Sequence, residues 1–324
     1  MGREQSEVLS MTREERFSFM SADGKTTIDA VKWIPEDGNY HGILQISHGM
    51  VEYIDRYKPF AEYLNKKGYL VVGHSHLGHG ASVQSKDDWG YFADSDSANV
   101  LMKDMHTLRM MIQKENEGVP YFMLGHSMGS YLLRRYLTVY NDNLRGAIIM
   151  GTGCVPDGLS KLGKVLCTIL AKIFGWRHRS KFIKSVAFSG PYKKFDMDGS
   201  NPENNWLTRD VKVVKEYYGE PRCRFLFTLN GYYMLMDTVH YDNQMENVKK
   251  IPVKLPLFIV SGEDDPVGDM GQGVKKVYHM YEQAGLKDVT YKLYEKGRHE
   301  ILNELDKDVV YSDIFSWMEV RITT

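Results

Sequence analysis

The sequence predicts an α/β protein: a mostly parallel central sheet with helices on both faces and one inserted segment. Three observations carry this. Short runs rich in β-branched and aromatic residues alternate with longer stretches of helical period, as in sheets whose strands are joined by crossover helices. Two strand-like runs at the start are separated by the turn-rich spacer Ala22-Asp23-Gly24-Lys25, which suggests an antiparallel hairpin at the sheet edge. The alternation then breaks between Gly153 and Thr238 and resumes afterwards.

Taken in order, the edge hairpin comprises Arg16–Met20 and Thr27–Trp33. The strands that follow are placed at Gly42–Ile46, Tyr69–Gly73, Tyr121–Leu124, Ala147–Met150, Leu257–Ser261 and Val289–Tyr294. Helical spacing marks Lys58–Lys67, Ala98–Glu115, Tyr131–Tyr140, Gly273–Ala284 and Asp308–Val320. The irregular stretch contains GPYKKFDMDGSNPENN at 190–205, dense in turn formers, and an apolar set at helical spacing, Leu162, Val165, Leu166, Ile169, Leu170 and Ile173. We expect one α/β core, residues 1–152 and 239–324, carrying residues 153–238 as an inserted cap.

The chain has 324 residues, enough to bury a core without disulfide or metal staples. Its 41 Lys+Arg against 42 Asp+Glu leave a formal charge of -1, which supplies no basic field for a phosphate backbone, so no nucleic-acid partner is expected. Three cysteines, Cys154, Cys167 and Cys223, are an odd set in a long chain and argue for a reducing compartment. The first residues lack the apolar core of a secretory signal and no apolar run spans a bilayer, so a cytoplasmic location is expected. Gly2 and Ser6 fit the N-myristoylation spacing, but Arg3 and Glu4 intervene and one acyl chain anchors weakly.

The sharpest chemical signal is Gly125-His126-Ser127-Met128-Gly129. It follows an apolar strand and opens a helical stretch, the setting of a nucleophile elbow, in which glycines flank the serine because the tight turn crowds the backbone. A serine hydroxyl is a poor nucleophile at neutral pH and requires a base, which in turn requires an orienting carboxylate. His299 stands in the turn after the last strand. The acid comes from Gly262-Glu263-Asp264-Asp265-Pro266-Val267, where Glu263, Asp264 and Asp265 all compete. Loops at the carboxyl ends of parallel strands converge, which brings these three segments to one edge.

Acyl transfer also needs oxyanion donors. The backbone N–H of Met128 is one candidate, and that of Met50 the other, in Ser47-His48-Gly49-Met50 where Gly49 permits the bend. His126 could contact substrate, although a packed turn residue fits equally. His74, His76 and His79 lack the companion motif of a metal site, and neither metal nor organic cofactor is expected.

These residues together resemble the α/β-hydrolase superfamily, and within it the monoacylglycerol lipases and lysophospholipases. His48-Gly49-Met50-Val51-Glu52-Tyr53 with Arg56-Tyr57 is similar to the group's H-G-x-x-E-H-x-x-R-Y; Gly78-His79-Gly80-Ala81-Ser82 matches its G-H-G-x-S, and Gly125–Gly129 its elbow. The resemblance runs from about residue 15 to the C-terminus. Its acid motif G-x-x-D-x-V falls on Gly262, Asp265 and Val267, which implies Asp265 as the acid, with His299 in the base position. Tyr53 departs from the usual His, and Ser75 from the usual Asp.

The expected activity is therefore serine hydrolysis of a small carboxylic ester such as a monoacylglycerol or lysophospholipid. A proline-iminopeptidase-like peptidase would need an acidic pocket for a substrate amine, and a silent binding module would usually lose a triad member. Dehalogenase and epoxide hydrolase chemistries want Asp where Ser127 stands. For the cap, Leu166 and Ile169 are expected to line an acyl-chain tunnel while nearby lysines touch anionic lipid transiently; alternatively the apolar stripe packs on the core.

Overall fold

The computed structural model describes residues 12–322; Gly2 and Ser6 fall outside that range. Among the described residues eight strands form one sheet: β1 (Thr12–Met20), β2 (Thr27–Pro35), β3 (Gly42–Ser47), β4 (Tyr69–His74), β5 (Tyr121–His126), β6 (Gly146–Met150), β7 (Leu257–Gly262) and β8 (Val289–Tyr294). Their spatial order is β1-β2-β4-β3-β5-β6-β7-β8. β1 pairs with β2, and β2 with β4, antiparallel; all other pairs are parallel. The hairpin turn closes because Asp23 accepts the N–H groups of Lys25 and Thr26 at 2.8 Å each. The edge strand is longer than its apolar pattern suggested: it starts at Thr12, four residues before the expected Arg16, through mostly exposed charged residues whose backbone pairs with β2.

The inner parallel strands β3 to β7 are buried on both faces, so their side chains alternate between two cores, whereas β8 at the sheet edge is mostly exposed. Ile43, Met123, Ile149 and Ile259 point into one, beneath α2 (Ser97–Glu115), α3 (Met128–Tyr136) and α9 (Gln272–Gln283). Leu44, Phe122, Leu124, Ile148 and Val260 point into the other, beneath α1 (Lys58–Asn65) and α10 (Lys307–Ile322). Each fully buried side chain of this kind contributes about 1.5–3 kcal/mol relative to exposure. α3 differs from expectation in position: it begins at Met128, directly behind the serine, and ends at Tyr136 rather than Tyr140.

Between β6 and β7 the chain forms α4 (Asp157–Phe174), α5 (Lys181–Ala187), α6 (Val211–Gly219), α7 (Leu229–Asp242) and the short α8 (Met245–Val248). The ends of this stretch are tied together: Arg134 of α3 donates to the Gly153 carbonyl at 3.0 Å and to the Asp242 carbonyl at 3.3 Å. Asn243 donates to the Val155 carbonyl at 2.7 Å. α4 lies on α7 through Ser160, Gly163, Cys167 and Ala171; a Cβ on Gly163 would meet Met236 at 3.1 Å. Small side chains on that seam let the helices approach and turn the large apolar residues outward. Leu162, Val165, Ile169 and Ile173 are each more than half exposed. The stripe therefore does not pack wholesale on the core; only Leu166 and Leu170 touch it.

Cys154, Cys167 and Cys223 are free thiols. Among the described residues no helix is long and apolar enough to cross a membrane.

Candidate active site

Ser127 sits between β5 and α3 with φ 54° and ψ -120°, a backbone conformation that costs energy for a residue with a side chain. The turn leaves no room for neighbours. A Cβ on Gly125 would stand 2.3 Å from the Gly129 carbonyl, and one on Gly129 would stand 2.1 Å from the Ser47 carbonyl. Both flanking glycines are thus steric requirements, the first of the elbow itself and the second of the close approach of α3 to β3. The same turn aims the N-terminus of α3, starting at the buried Met128, at the space beside the serine, where backbone N–H groups and the helix dipole favour negative charge.

Asp265 and His299, the expected acid and base, lie in contact. His299 Nδ1 lies 3.0 Å from both Asp265 Oδ1 and Oδ2, and both residues are buried. Burial pushes the Asp265 carboxyl up, but the His299 imidazole, the Val267 N–H at 2.8 Å and the Ser261 hydroxyl at 2.9 Å together hold it below its ordinary value. An ionised carboxylate only accepts, so the proton sits on Nδ1 and Nε2 carries the free lone pair. Of the other acids in the loop, Glu263 is exposed and Asp264 partly so.

The loop after β3 passes against Ser127: a Cβ on Gly49 would stand 3.0 Å from Ser127 Cβ. This loop is pinned on both sides of Met50. Gly49 N–H donates to Glu52 Oε1, Val51 N–H donates to His79 Nε2 at 3.3 Å, and the Tyr217 hydroxyl of α6 donates to the Val51 carbonyl at 2.9 Å. His48 accepts the His76 N–H at 2.8 Å. His48, His74, His76 and His79 are all buried and pack ring to ring, His48 and His76 with centroids 4.4 Å apart. Burial lowers the imidazoles, His48 to about 4 and His74 to about 3, so the cluster is a neutral support beneath the loop.

His126 is built into the turn. Its Nδ1 contacts Tyr57 at 3.0 Å and Glu52 at 3.1 Å, its Nε2 contacts the His299 carbonyl at 3.2 Å, and both nitrogens are thereby occupied by protein partners. Burial would lower this imidazole, yet the hydrogen bond and charge of Glu52 hold it above its ordinary value. Arg56 bridges Glu52 at 2.9 Å and forks onto Glu300 with two bonds of 2.7 Å. One guanidinium thus faces two carboxyl groups, and His126 adds a contact to Glu52, which is how four ionisable groups share one buried space. Glu300, Ser261 and Tyr217 carried no sequence signal for these roles; Glu52 and Arg56 stood in a quoted motif, four residues apart, without an assigned task.

Ile169, expected in a tunnel, is 51% exposed on the outer face of α4, while Leu166 is partly buried against the core. Lys164, one of the lysines near that stripe, pairs with Asp237 of α7.

A mostly parallel eight-stranded sheet, a serine on a strained strand-to-helix turn, and an acid and imidazole on loops after later strands define an α/β hydrolase. The chain belongs to the serine aminopeptidase S33 family, whose profile matches residues 38–306. It is 25% identical to the monoacylglycerol lipase of Mycolicibacterium smegmatis over 312 residues, 96% of this chain and 99% of that one. It is 26% identical to the monoglyceride lipase of Mus musculus over 296 residues, 90% of this chain and 86% of that one. Among solved structures, a thermostable carboxyl esterase from Bacillus coagulans in complex with glycerol superposes with TM-score 0.86 at 30% identity, covering 95% and 99% of the two chains. A soluble variant of monoglyceride lipase from Saccharomyces cerevisiae shares the fold, with TM-score 0.76 at 20% identity over 97% of each chain.

Proposed function

We propose that this chain hydrolyses small acyl esters, monoacylglycerols first, through Ser127, Asp265 and His299. The observation that carries the reading is the buried Asp265–His299 pair sharing one sheet edge with the strained Ser127 turn. Ser127 Oγ attacks the ester carbonyl while His299 Nε2 takes its proton, and Asp265 steadies the imidazolium that forms. The backbone N–H groups of Met50 and Met128 hold the oxyanion. Collapse of the tetrahedral intermediate breaks the ester C–O bond, and His299 returns the proton to the departing alcohol. Water then attacks the acyl-enzyme with His299 again as base, releasing the fatty acid and restoring Ser127.

The family description favours a second reading, an aminopeptidase. That chemistry needs a carboxylate free to hold a substrate amine, and the buried carboxylates beside the site, Glu52 and Glu300, are both engaged by Arg56. Lysophospholipids stay within the ester reading, since a phospholipase of Bacillus subtilis is 23% identical over 271 residues. Residues 153–238 serve as the cap. The outward apolar face of α4, flanked by exposed Lys161, Lys172, Lys181 and Lys184, suits transient contact with anionic lipid, from which an amphiphilic ester reaches the site.

The test is active-site labelling with a fluorophosphonate probe, alongside a panel of glyceryl esters and aminoacyl anilides. Ser127 should be labelled, and Ser127→Ala should lose on the order of 10³–10⁶ in turnover with its fold intact. Near-normal turnover by folded Ser127→Ala would sink the mechanism, and preference for anilides would transfer the function to the second reading.

A further inference from the structure

Trp206 lies in the turn-rich stretch between α5 and α6, far in sequence from every motif described above. Its indole stacks on the imidazole of His299, with ring centroids 4.9 Å apart and planes 23° from parallel. The indole has two further aromatic neighbours: Tyr192 meets it edge-on at 5.7 Å and Phe188, tilted, at 6.1 Å. The indole N–H is held by the Tyr218 hydroxyl at 3.3 Å, which fixes the rotation of the ring.

The backbone around Trp206 is stitched to the loop that carries His299. The His299 N–H donates to the Trp206 carbonyl at 3.3 Å, and the Glu300 N–H to the Leu207 carbonyl at 2.7 Å. Arg298 donates to the Asn205 carbonyl at 2.5 Å and to the Thr208 carbonyl at 3.3 Å. From the other side Thr208 donates to the Asn303 carbonyl at 3.0 Å, and Arg209 pairs with Glu304 at 2.9 Å. The segment is itself fixed, because buried Asn205 donates to Asp196 Oδ2 at 2.7 Å and accepts the Leu207 N–H at 3.1 Å.

Asp265 restrains His299 only at Nδ1, leaving the imidazole able to tilt about that contact. A flat aromatic face on one side and His126, with its centroid 4.7 Å away, on another remove that freedom. We propose that Trp206 is a positioning residue: its indole sets the plane of His299 so that Nε2 faces Ser127, which makes alignment of the base depend on the insertion between β6 and β7. This rests on the reading of Ser127 and His299 given above. A displacement of about 1 Å in a base can cost on the order of 100-fold in rate, so the effect falls on kcat.

The experiment compares Trp206→Ala, Trp206→Leu and Trp206→Phe in the full chain, each assayed well below its own melting midpoint. Hydrolysis of a medium-chain monoacylglycerol and of p-nitrophenyl acetate is measured together with the rate of fluorophosphonate labelling. Leu keeps apolar volume but cannot stack; Phe keeps a stacking face. We expect the Ala and Leu variants to lose roughly 10- to 100-fold in kcat on both esters and to be labelled more slowly by a similar factor. KM should stay within about threefold, and Phe should recover to within about threefold of the parent. A folded Leu variant with parental kcat overturns the proposal, as does a loss confined to KM for the longer ester, or a Phe variant as slow as Leu. Failure of all three variants to fold would make Trp206 a folding residue and overturn it equally. Ser127→Ala, run in parallel, separates the cases: an active Ser127→Ala defeats the hydrolase reading itself, whereas an inert one beside a fully active Trp206→Leu defeats only this proposal.

Discussion

Replacing Asp265 by Asn changes one atom and leaves the shape of the site. Oδ1 accepts from Val267 N–H and Oδ2 from the Ser261 hydroxyl, while both oxygens face His299 Nδ1. An amide that keeps its oxygen on Val267 must turn its NH₂ toward Ser261, whose hydroxyl can rotate to accept, and toward Nδ1. Nδ1 then becomes an acceptor, and the imidazole proton moves to Nε2, the atom that takes the proton of Ser127 in the proposed mechanism. A wrong tautomer costs about 10⁴-fold in a Ser-His-Asp site, equal to about 5.4 kcal/mol of barrier at 1.36 kcal/mol per tenfold. Folding should change by only about 1–2 kcal/mol, because the weaker hydrogen bonds are offset by no longer burying a charge. The assay is kcat on a medium-chain monoacylglycerol, with urea unfolding as the control. Asp264→Asn, whose side chain faces partly outward, should stay within about tenfold. An Asp265→Asn enzyme within tenfold of the parent, or the reverse ranking of the two, would refute the reasoning.

The stability contributed by the buried histidines should fall as pH drops below about 6.5, the value at which unfolded histidines titrate. His48 and His74 stay neutral in the folded chain down to about 4 and about 3 because of burial, so the unfolded chain binds more protons in that window. At pH 5 each should have cost about 2 kcal/mol relative to neutral pH, partly offset because burial lets Asp104 and Asp242 take up protons at about 6 and about 8, so the histidine share is read by urea unfolding of His74→Leu beside the parent at pH 7 and 5; an equal difference at the two would contradict it. His74→Leu, which removes two buried ring nitrogens without hydrogen-bond partners, should stabilise the protein, and more at pH 5 than at pH 7. Gly129→Ala should cost about 3 kcal/mol and lower Tm, since the new Cβ would meet backbone oxygens of Ser47 and His48 at 2.1 and 2.5 Å; an unchanged Tm would mean that α3 shifts freely. Ile169→Asp, at a half-exposed site, should move stability by no more than about 0.5 kcal/mol yet weaken binding to anionic vesicles at low salt, and unchanged binding would remove the lipid contact.

Much of this architecture was legible in one dimension because its signals are local. A buried parallel strand must be a short β-branched or aromatic run, so β3 to β7 could be placed to within a residue or two, and the exposed edge strand β8 by the same residue types. The elbow was legible for the same reason: a turn that admits no Cβ at positions 125 and 129 writes its requirement directly into the chain. Order along the sequence also placed the loops of Asp265 and His299 on the edge that carries Ser127, since parallel strands all end there. Which of three neighbouring acids faces the imidazole was not legible from the residues, because a turn can present any of them; the burial of Asp265 and its partners Ser261 and Val267 separate it from Glu263 and Asp264.

What remained hidden rests on contacts between distant segments. The apolar set on α4 has the same period whether it faces inward or out. Its direction follows from the seam of Ser160, Gly163, Cys167 and Ala171 against α7, a helix the periodicity did not mark. The charge balance around Glu52 joins residues 52, 56, 126 and 300, and no local pattern announces that two carboxylates will share one guanidinium. Trp206 is the extreme instance. It stands beside a run of turn formers whose composition says only that the chain bends, and it gains a partner in His299 because hydrogen bonds between residues 205–209 and 298–304 fold that bend onto the sheet edge that carries Ser127. Periodicity reports which way a residue faces within its own element; what it meets there is set by the element that arrives opposite.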